Sequence, residues 1–386
     1  MVAEAKRVLT EVRRRIFWSA VAATVAAGVL AGCSADGRTP GVGSAPSTAP
    51  SSTGPTWNDG SATTAAPLDL ASLAYDIPPA AGCGAATERP DDAEELQTAF
   101  DDARPGAQIV IGSGIYRGNF VVTSSGTEAA PIVICANGSV ALEGDGPNDA
   151  YGLHLDGVSW VTVVGIEVRQ NQKGIVVDGS SHIVIDGCRI HAVGDEAIHL
   201  RGFTTDSTVV RNTIFDTGNR REKFGEGVYI GTAQSNWGEI SGGVPDASDR
   251  NLVARNDIRD VTAEAVDVKE GTSGGLVVQN TFLGDGMTEE GADSWVDVKG
   301  RDWVIADNVG ARSRYDGFQT HEIVDGWGTS NVFTGNRGSG LNSAIAPGDE
   351  PGYLIAARPT RGNVAVCDNE VDDASAELSN LVCVAR

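Results

Sequence analysis

Two short stretches of this 386-residue chain carry side chains that could do chemistry together. Residues 264–282, "EAVDVKEGTSGGLVVQNTF", set Glu264, Asp267 and Lys269 close in sequence. Residues 294–309, "SWVDVKGRDWVIADNV", repeat the pattern with Asp297 and Lys299. Clustered carboxylates can hold a hard cation or exchange protons. An ordinary Lys, with a pKa of about 10.4, is protonated at neutral pH and cannot act as a base. A neighbouring cation lowers that value, and carboxylates raise it unless a bound cation occupies them. The pattern therefore predicts a coupled site in which metal binding helps to deprotonate Lys269.

The elements that must position these residues are short and repeated. Val/Ile-rich runs begin at 152, 174, 197, 227, 265, 295 and 317: "GLHLDG", "GIVVDG", "AIHLRG", "GVYIGT", "AVDVKE", "WVDVKG" and "GFQTHE". Such spacing, with abundant Gly and few long helical patterns, is the signature of a solenoid. The second and fourth positions are apolar in nearly every run, from Leu153 and Leu155 to Val296 and Val298, and are expected to point inward. A second ladder supports the register: Asn212, Asn256, Asn280, Asn308, Asn336 and Asn369 recur after the runs, with Gly165 and Gly187 expected in that place in the first coils. Asn and Gly tolerate a left-handed turn, and stacked Asn side chains can hydrogen-bond from coil to coil. Together the ladders predict an all-β, right-handed parallel β-helix. A β-sandwich with Asn-rich turns is the other reading, but it does not require two ladders in one phase. "DDAEELQTAFDDA" (91–103) reads as an amphipathic helix with Leu96, Ala99, Phe100 and Ala103 on one stripe, expected to cap the open end of the solenoid.

In this register the first, third and fifth positions face solvent on one sheet, with equivalent positions about 4.8 Å apart on successive coils. The column before each run holds Lys173, Glu196, Glu226, Glu264, Ser294 and Asp316. The third positions are His154, Val176, His199, Tyr229, Asp267, Asp297 and Gln319, and the fifth are Asp156, Asp178, Arg201, Gly231, Lys269, Lys299 and His321. Stacked like charges repel, so Glu196, Glu226 and Glu264 beside Asp267 and Asp297 suggest a Ca²⁺ site built only from oxygen ligands. Pairwise neutralisation of Asp by Lys on a solvated face is the alternative. Lys299 and Arg201 would lower the pKa of Lys269. Arg201 and His199 are either part of this site or plain surface residues. Tyr229, Trp237, Gln319 and Tyr315 are candidate substrate contacts, with Trp237 on an insertion (232–249) that would wall a groove. Trp295, in a first-position slot, more simply packs.

The ends of the chain bound its setting. Lys6, Arg7, Arg13, Arg14 and Arg15 precede an apolar run, Ile16 to Leu30, and "LAGC" ends at Cys33. These features predict an export signal with a lipobox over 1–33, Cys33 lipidated, and a cell-surface lipoprotein of a bacterial membrane. A plain signal peptide with an incidental Cys is the other reading. Residues 34–74 are rich in Ser, Thr, Pro and Gly and read as a flexible tether, leaving 75–386 as the β-helix domain. Export permits disulfides, with Cys367–Cys383 and Cys83–Cys135 the expected pairs, while no spacing suggests zinc. The net charge is −23, near −26 once residues 1–32 with their five basic and two acidic residues are removed. That charge excludes nucleic acid as a natural partner, and a monomer is expected. An anionic polysaccharide would also be repelled unless cations intervene.

Residues 103–136, "ARPGAQIVIGSGIYRGNFVVTSSGTEAAPIVICA", with the preceding helix, resemble the opening of the pectate-lyase-like superfamily, nearest to the family-six polysaccharide lyases, which include alginate lyases and chondroitinase B. The matching elements are "PGxxIxI", "GxY" and "SGTxxxPIxI". Glu264 and Lys269 have the five-residue spacing between a Ca²⁺ ligand and the Lys base in that family. Glu226 stands one coil away where the family has Asn, Lys299 where it has Arg, and Thr262 where it has a second acidic ligand. Lys cannot hold a carboxylate bidentately as Arg does. The resemblance implies Ca²⁺-assisted β-elimination at a uronic acid with Lys269 as base, Lys299, His321 or His199 protonating the leaving oxygen or steadying the charge, and a polysaccharide substrate. Two readings stay open beside it: a glycoside hydrolase using Asp267 and Asp297 as acid and base, and a non-catalytic carbohydrate-binding protein.

Overall fold

The computed structural model describes residues 77–79, 81–342, 352–374 and 376–385. The expected export signal with Cys33 and the expected tether lie outside the described residues. Each coil contributes short strands to parallel ladders. One sheet has 10 strands; the other has 18, because the long strands Gln108–Arg117 and Ile132–Glu143 bend to serve two of its faces. The solenoid therefore has about ten coils and three faces.

The inward ladder follows the expected register. Leu153, Ile175, Ile198, Val228, Val266, Val296 and Phe318 are successive register partners, and all are fully buried. Burying such a side chain contributes about 1.5–3 kcal/mol, and each coil repeats it. Helix Ala93–Asp102 is capped by Asp92, whose side chain accepts from Glu95 N–H, and its buried Leu96, Ala99 and Phe100 join the same core against strands Gln108–Arg117 and Phe120–Val122. Both expected disulfides are present, Cys83–Cys135 and Cys367–Cys383. No described helix is long and apolar enough to cross a membrane.

The Asn ladder is continuous. The Nδ2 of Asn212 donates to Asn256 Oδ1 (3.0 Å), and the bond repeats from Asn256 to Asn280, Asn280 to Asn308, Asn308 to Asn336 and Asn336 to Asn369. One expectation is corrected. Gly165 and Gly187 are not in the Asn column but one residue earlier. Cys188 occupies the Asn place, since its N–H donates to Asn212 Oδ1 at 2.8 Å. The left-handed corner is the residue before each Asn: Gly165, Gly187, Arg211, Arg255, Gln279, Asp307 and Gly335 all have positive φ. A left-handed non-glycine costs roughly 1–2 kcal/mol. Each rung offsets that with several buried hydrogen bonds, worth about 0.5–1.5 kcal/mol apiece.

Asn280→Ala removes a rung from the middle of this ladder and leaves the Asn256 N–H and the Val253 carbonyl without their partner. The expected loss is about 2 kcal/mol or more, read as a lowered urea midpoint at unchanged slope. An unshifted midpoint would show that the rungs do not carry the corners.

Candidate active site

Five adjacent strands build the site: Ile198–Arg201, Val228–Ile230, Val266–Val268, Ser294–Val298 and Asp316–His321. Their register sets His199 beside Tyr229, Tyr229 beside Asp267, Asp267 beside Asp297, and Asp297 beside Gln319, as expected. The environment is not the expected one. This column does not face solvent: Asp267 is 1% exposed and Asp297 4%. The reason is ion pairing, because Lys269 and Lys299 fold their long side chains back onto the carboxylates. Charged groups are buried only when so paired.

Asp267 is the hub. One of its oxygens pairs with Lys269, and the other takes Lys299 Nζ at 2.9 Å. Lys299 also reaches Asp297 Oδ2 at 2.5 Å, and His321 Nδ1 meets Asp297 Oδ1 at 2.8 Å. Of the two expected influences on Lys269, the carboxylates prevail over the neighbouring cations. Burial opposes its charge, but Asp267, Glu264 and Glu226 outweigh burial and hold it above the usual lysine value. Lys299 is likewise raised, burial being outweighed by Asp267 and Asp297. Burial would raise Asp297, but Lys299 and His321 hold it well below the carboxylate range. His321 is raised, first by its bond to Asp297.

Glu226, Glu264 and Asp267 offer oxygens that all lie within 4.8 Å of one another. Burial and the Asp267 charge push Glu264 up to about 8, while burial and then Glu196 push Glu226 well above its ordinary value. The Oε2 of Glu226 is buried without a hydrogen-bond partner among the described residues. Three converging carboxylates, one of them orphaned, fit a hard cation such as Ca²⁺. Glu196 is not one of the three. It is paired with Lys173 Nζ at 2.9 Å.

His199 and Arg201 are also taken up by neighbours. His199 Nε2–H donates to the Gly231 carbonyl (3.0 Å), so its Nδ1 accepts from Lys173 Nζ (3.2 Å). Burial, then Lys173 and Arg201, hold the imidazole neutral, with neither nitrogen free for a substrate proton. Arg201 grips Asp178 through Nε (2.6 Å) and Nη2 (3.1 Å), and Gly231 separates it from Lys269 in the column. It therefore does not press on Lys269 as expected.

Tyr229 lies between these groups. His199 packs edge-on against its ring (centroids 4.4 Å apart), and Lys269 Nζ sits 4.8 Å from the ring centre. Burial, Asp267 and Glu226 raise its phenol pKa, so the hydroxyl keeps its proton. Tyr229 lines a cleft of about 240 Å³ together with Lys173, Arg201, Arg220, Phe224, Asn236, Glu239 and Ile240. The 232–249 insertion thus supplies a wall, but Trp237 is no sugar platform. Its ring is buried inside the insertion and its Nε1–H bonds the Thr232 carbonyl (2.8 Å). Gln319, buried and donating to Asp316 Oδ2 (2.9 Å), and Tyr315, beneath the Arg314 guanidinium, do not line this cleft. Trp295 packs in the core. Sequence reading missed Arg220 and Phe224. Their signal was the basic and aromatic string "NRREKFGEG" (219–227) just before a run.

Residues 148–294 match a family described as the right handed beta helix region. Among solved structures, the chain is 32% identical to the alginate lyase from Paenibacillus sp. str. FPU-7, covering 77% of this chain and 98% of that one, with a TM-score of 0.70. A rhamnogalacturonan lyase shares 13% identity over 72% of this chain and 82% of its own, with a TM-score of 0.50. The enzymatically active domain of tailspike protein 2 of bacteriophage CBA120 shares 10% over 77% and 46%, with a TM-score of 0.51. At such identities the last two show the fold alone. A search of the curated proteins found no match.

The raised Glu264 makes stability depend on pH. The folded chain holds this proton to about 8, whereas an unperturbed Glu releases it near 4.5, so the folded state binds more protons in between. Stability in chelator therefore falls as pH rises through that window, and Glu264→Gln flattens the fall. Urea midpoints near both ends of the window check this, and a flat wild-type profile would overturn it.

Proposed function

Since the chain belongs to the pectate-lyase-like superfamily of right-handed parallel β-helices, we propose that it is a polysaccharide lyase that cleaves a uronic-acid-containing polysaccharide by β-elimination. The observation that carries this reading is the setting of Lys269. Its ammonium is held charged first of all by Asp267, and Asp267 converges with Glu264 and Glu226 as a cation site. A divalent cation such as Ca²⁺, held by Glu226, Glu264 and Asp267, would supply positive charge that neutralises those carboxylates and stabilises an enolate.

The chain's own residues do the rest. Lys269, as the free amine, takes the proton from C5 of the uronate. The C–H electrons form the C4–C5 double bond, and the C4–O bond breaks. Tyr229, held protonated beside Lys269, gives its hydroxyl proton to the departing oxygen. Lys299 and His321 hold Asp267 and Asp297 in place. The cleft walls on the Tyr229 side keep the sugar aligned. In the same reading the chain is exported, anchored through Cys33, and acts on polysaccharide outside the cell.

A glycosidase needs one carboxyl that stays protonated as the acid. Asp297 is held ionised, and Asp267 is clamped by two ammonium groups, so neither suits that role. A strictly carbohydrate-binding surface would not need the protonated phenol beside a lysine.

Incubation with alginate and other polyuronates should release an unsaturated product, followed by its ultraviolet absorbance. Lys269→Ala and Tyr229→Phe are each expected to lower the rate about 10²–10⁴-fold. Chelator should abolish activity and Ca²⁺ restore it. New reducing ends without absorbance would mean hydrolysis, and silence in both assays would leave only binding.

A further inference from the structure

The outer face of the larger sheet carries an apolar stripe that the candidate site does not use. Strands Thr208–Val210, Leu252–Ala254, Leu276–Val278 and Val304–Ala306 lie in register, with Val210 beside Ala254, Ala254 beside Val278 and Val278 beside Ala306. Their middle residues, Val209, Val253, Val277 and Ile305, belong to the interior core. Alternation along a strand therefore turns Val210, Ala254, Val278 and Ala306 outward. Yet all four are fully buried, and they form a second apolar cluster with Leu252, Leu276 and Val304. Among the described residues, Ile77 is the one member of that cluster from outside the sheet. The four span three strand spacings, about 14 Å, more than one side chain covers.

The path of the chain points to the rest of the cover. Glu88 pairs with Ile109, and Cys83 is joined to Cys135. Ala81 N–H donates to Asp186 Oδ2 (2.6 Å), and Arg211 donates to the carbonyls of Pro78 (2.9 Å) and Pro79 (3.2 Å). From Glu88 back to Pro78, each contact lies one or two coils further from the capping helix. Ile77, next in line, already packs on the stripe. An extended chain advances about 3.3 Å per residue, so residues 67–76 can reach about 33 Å, past the last strand of the stripe. Their composition suits an apolar surface. "LDLASLAYDI" (68–77) holds Leu68, Leu70, Leu73, Tyr75 and Ile77, whereas Val42 and Trp57 are the large apolar residues of 34–66. Leu73, Tyr75 and Ile77 alternate with small or polar residues, as an extended segment with one buried side requires.

We propose that residues 67–76 dock along this stripe as a strap, so that the tether ends at residue 66. The strap ties together the coils that carry the candidate site. Thr208–Val210 follows Ile198–Arg201, Leu252–Ala254 follows Val228–Ile230, Leu276–Val278 follows Val266–Val268, and Val304–Ala306 follows Ser294–Val298. It holds those coils from the other sheet and does not touch the site. Docking depends neither on the lyase reading nor on lipidation of Cys33. It moves the point where the tether leaves the domain from the Arg211 coil towards the C-terminal coils.

The test is chymotrypsin cleavage of the full chain, with Trp57 as an internal reference and each rate divided by that in the urea-unfolded chain. Cuts at Leu68, Leu70, Leu73 and Tyr75 are expected to be about tenfold or more slower than the cut at Trp57. Leu73→Ser and Leu276→Ser each remove one side of the contact and leave the interior core intact. Each should speed the remaining cuts about tenfold and lower the urea midpoint. The double variant should lose less than the sum of the two, because either change alone already releases the strap. Trp57→Ser should leave the midpoint unchanged. Leu73→Ser, outside the coils, keeps the test readable if Leu276→Ser does not fold. Cuts at 68–75 as fast as at Trp57, or strictly additive losses, would overturn the proposal. So would a wild-type dimer that Leu276→Ser makes monomeric, which would give the stripe to a second copy of the chain.

Discussion

Successive coils of this solenoid lie one strand spacing apart, and that distance decides which side chains must come to terms. Residues at the same place in neighbouring coils are forced into contact, so like charges repel and unlike charges pair across coils, not along the chain. Asp267 shows the consequence. It sits directly beside Asp297 in register, an arrangement that would be unfavourable alone. Lys299 bridges the two carboxylates, and Lys269 takes the remaining oxygen of Asp267. Remove that clamp and two buried like charges face each other in a medium that screens them poorly.

The scaffold tolerates such a cluster because its corners are fixed independently. The Asn ladder and its left-handed corners hold one edge of every coil, and the apolar column holds the interior. Neither involves the polar face. Insertions can therefore leave that face without disturbing the stack. Asp246 secures the largest one, its carboxylate accepting from Gly202 and Phe203 N–H and from Thr232 and Ser248 hydroxyls. A wall anchored in this way can present Asn236, Glu239 and Ile240 to a cleft with little freedom to lose on binding.

The protonation states follow from the same crowding. Carboxylates with an ammonium partner, such as Asp297, stay ionised; those without one, Glu226 and Glu264, hold their protons. A lysine that is to act as base must be released from its carboxylates, and the carboxylates that hold it are those that can take a cation. Charge on the cluster and basicity of Lys269 are thus two sides of one equilibrium. An acid–base pair of carboxylates has no comparable route, since Asp297 is held ionised and both oxygens of Asp267 are occupied by ammonium groups.

Sequence alone determined the fold, the register and the apolar column. Alternation of Val and Ile with polar residues, and Asn at one place per coil, are local patterns that strand pairing must obey, and a slip of one residue would turn the whole apolar column outward. Both expected disulfides formed. The Asn column was misplaced by one residue in the first coils, because Gly at a corner and Asn in a ladder look alike as turn residues while doing different work. What tertiary structure alone decided is which way long polar side chains bend and which partner they find first. His199 went to Gly231 and Lys173, Arg201 to Asp178, Glu196 to Lys173, and Trp237 into its own insertion. Those choices depend on distances between side-chain tips, set by coil stacking and loop paths, and a one-dimensional pattern does not encode them.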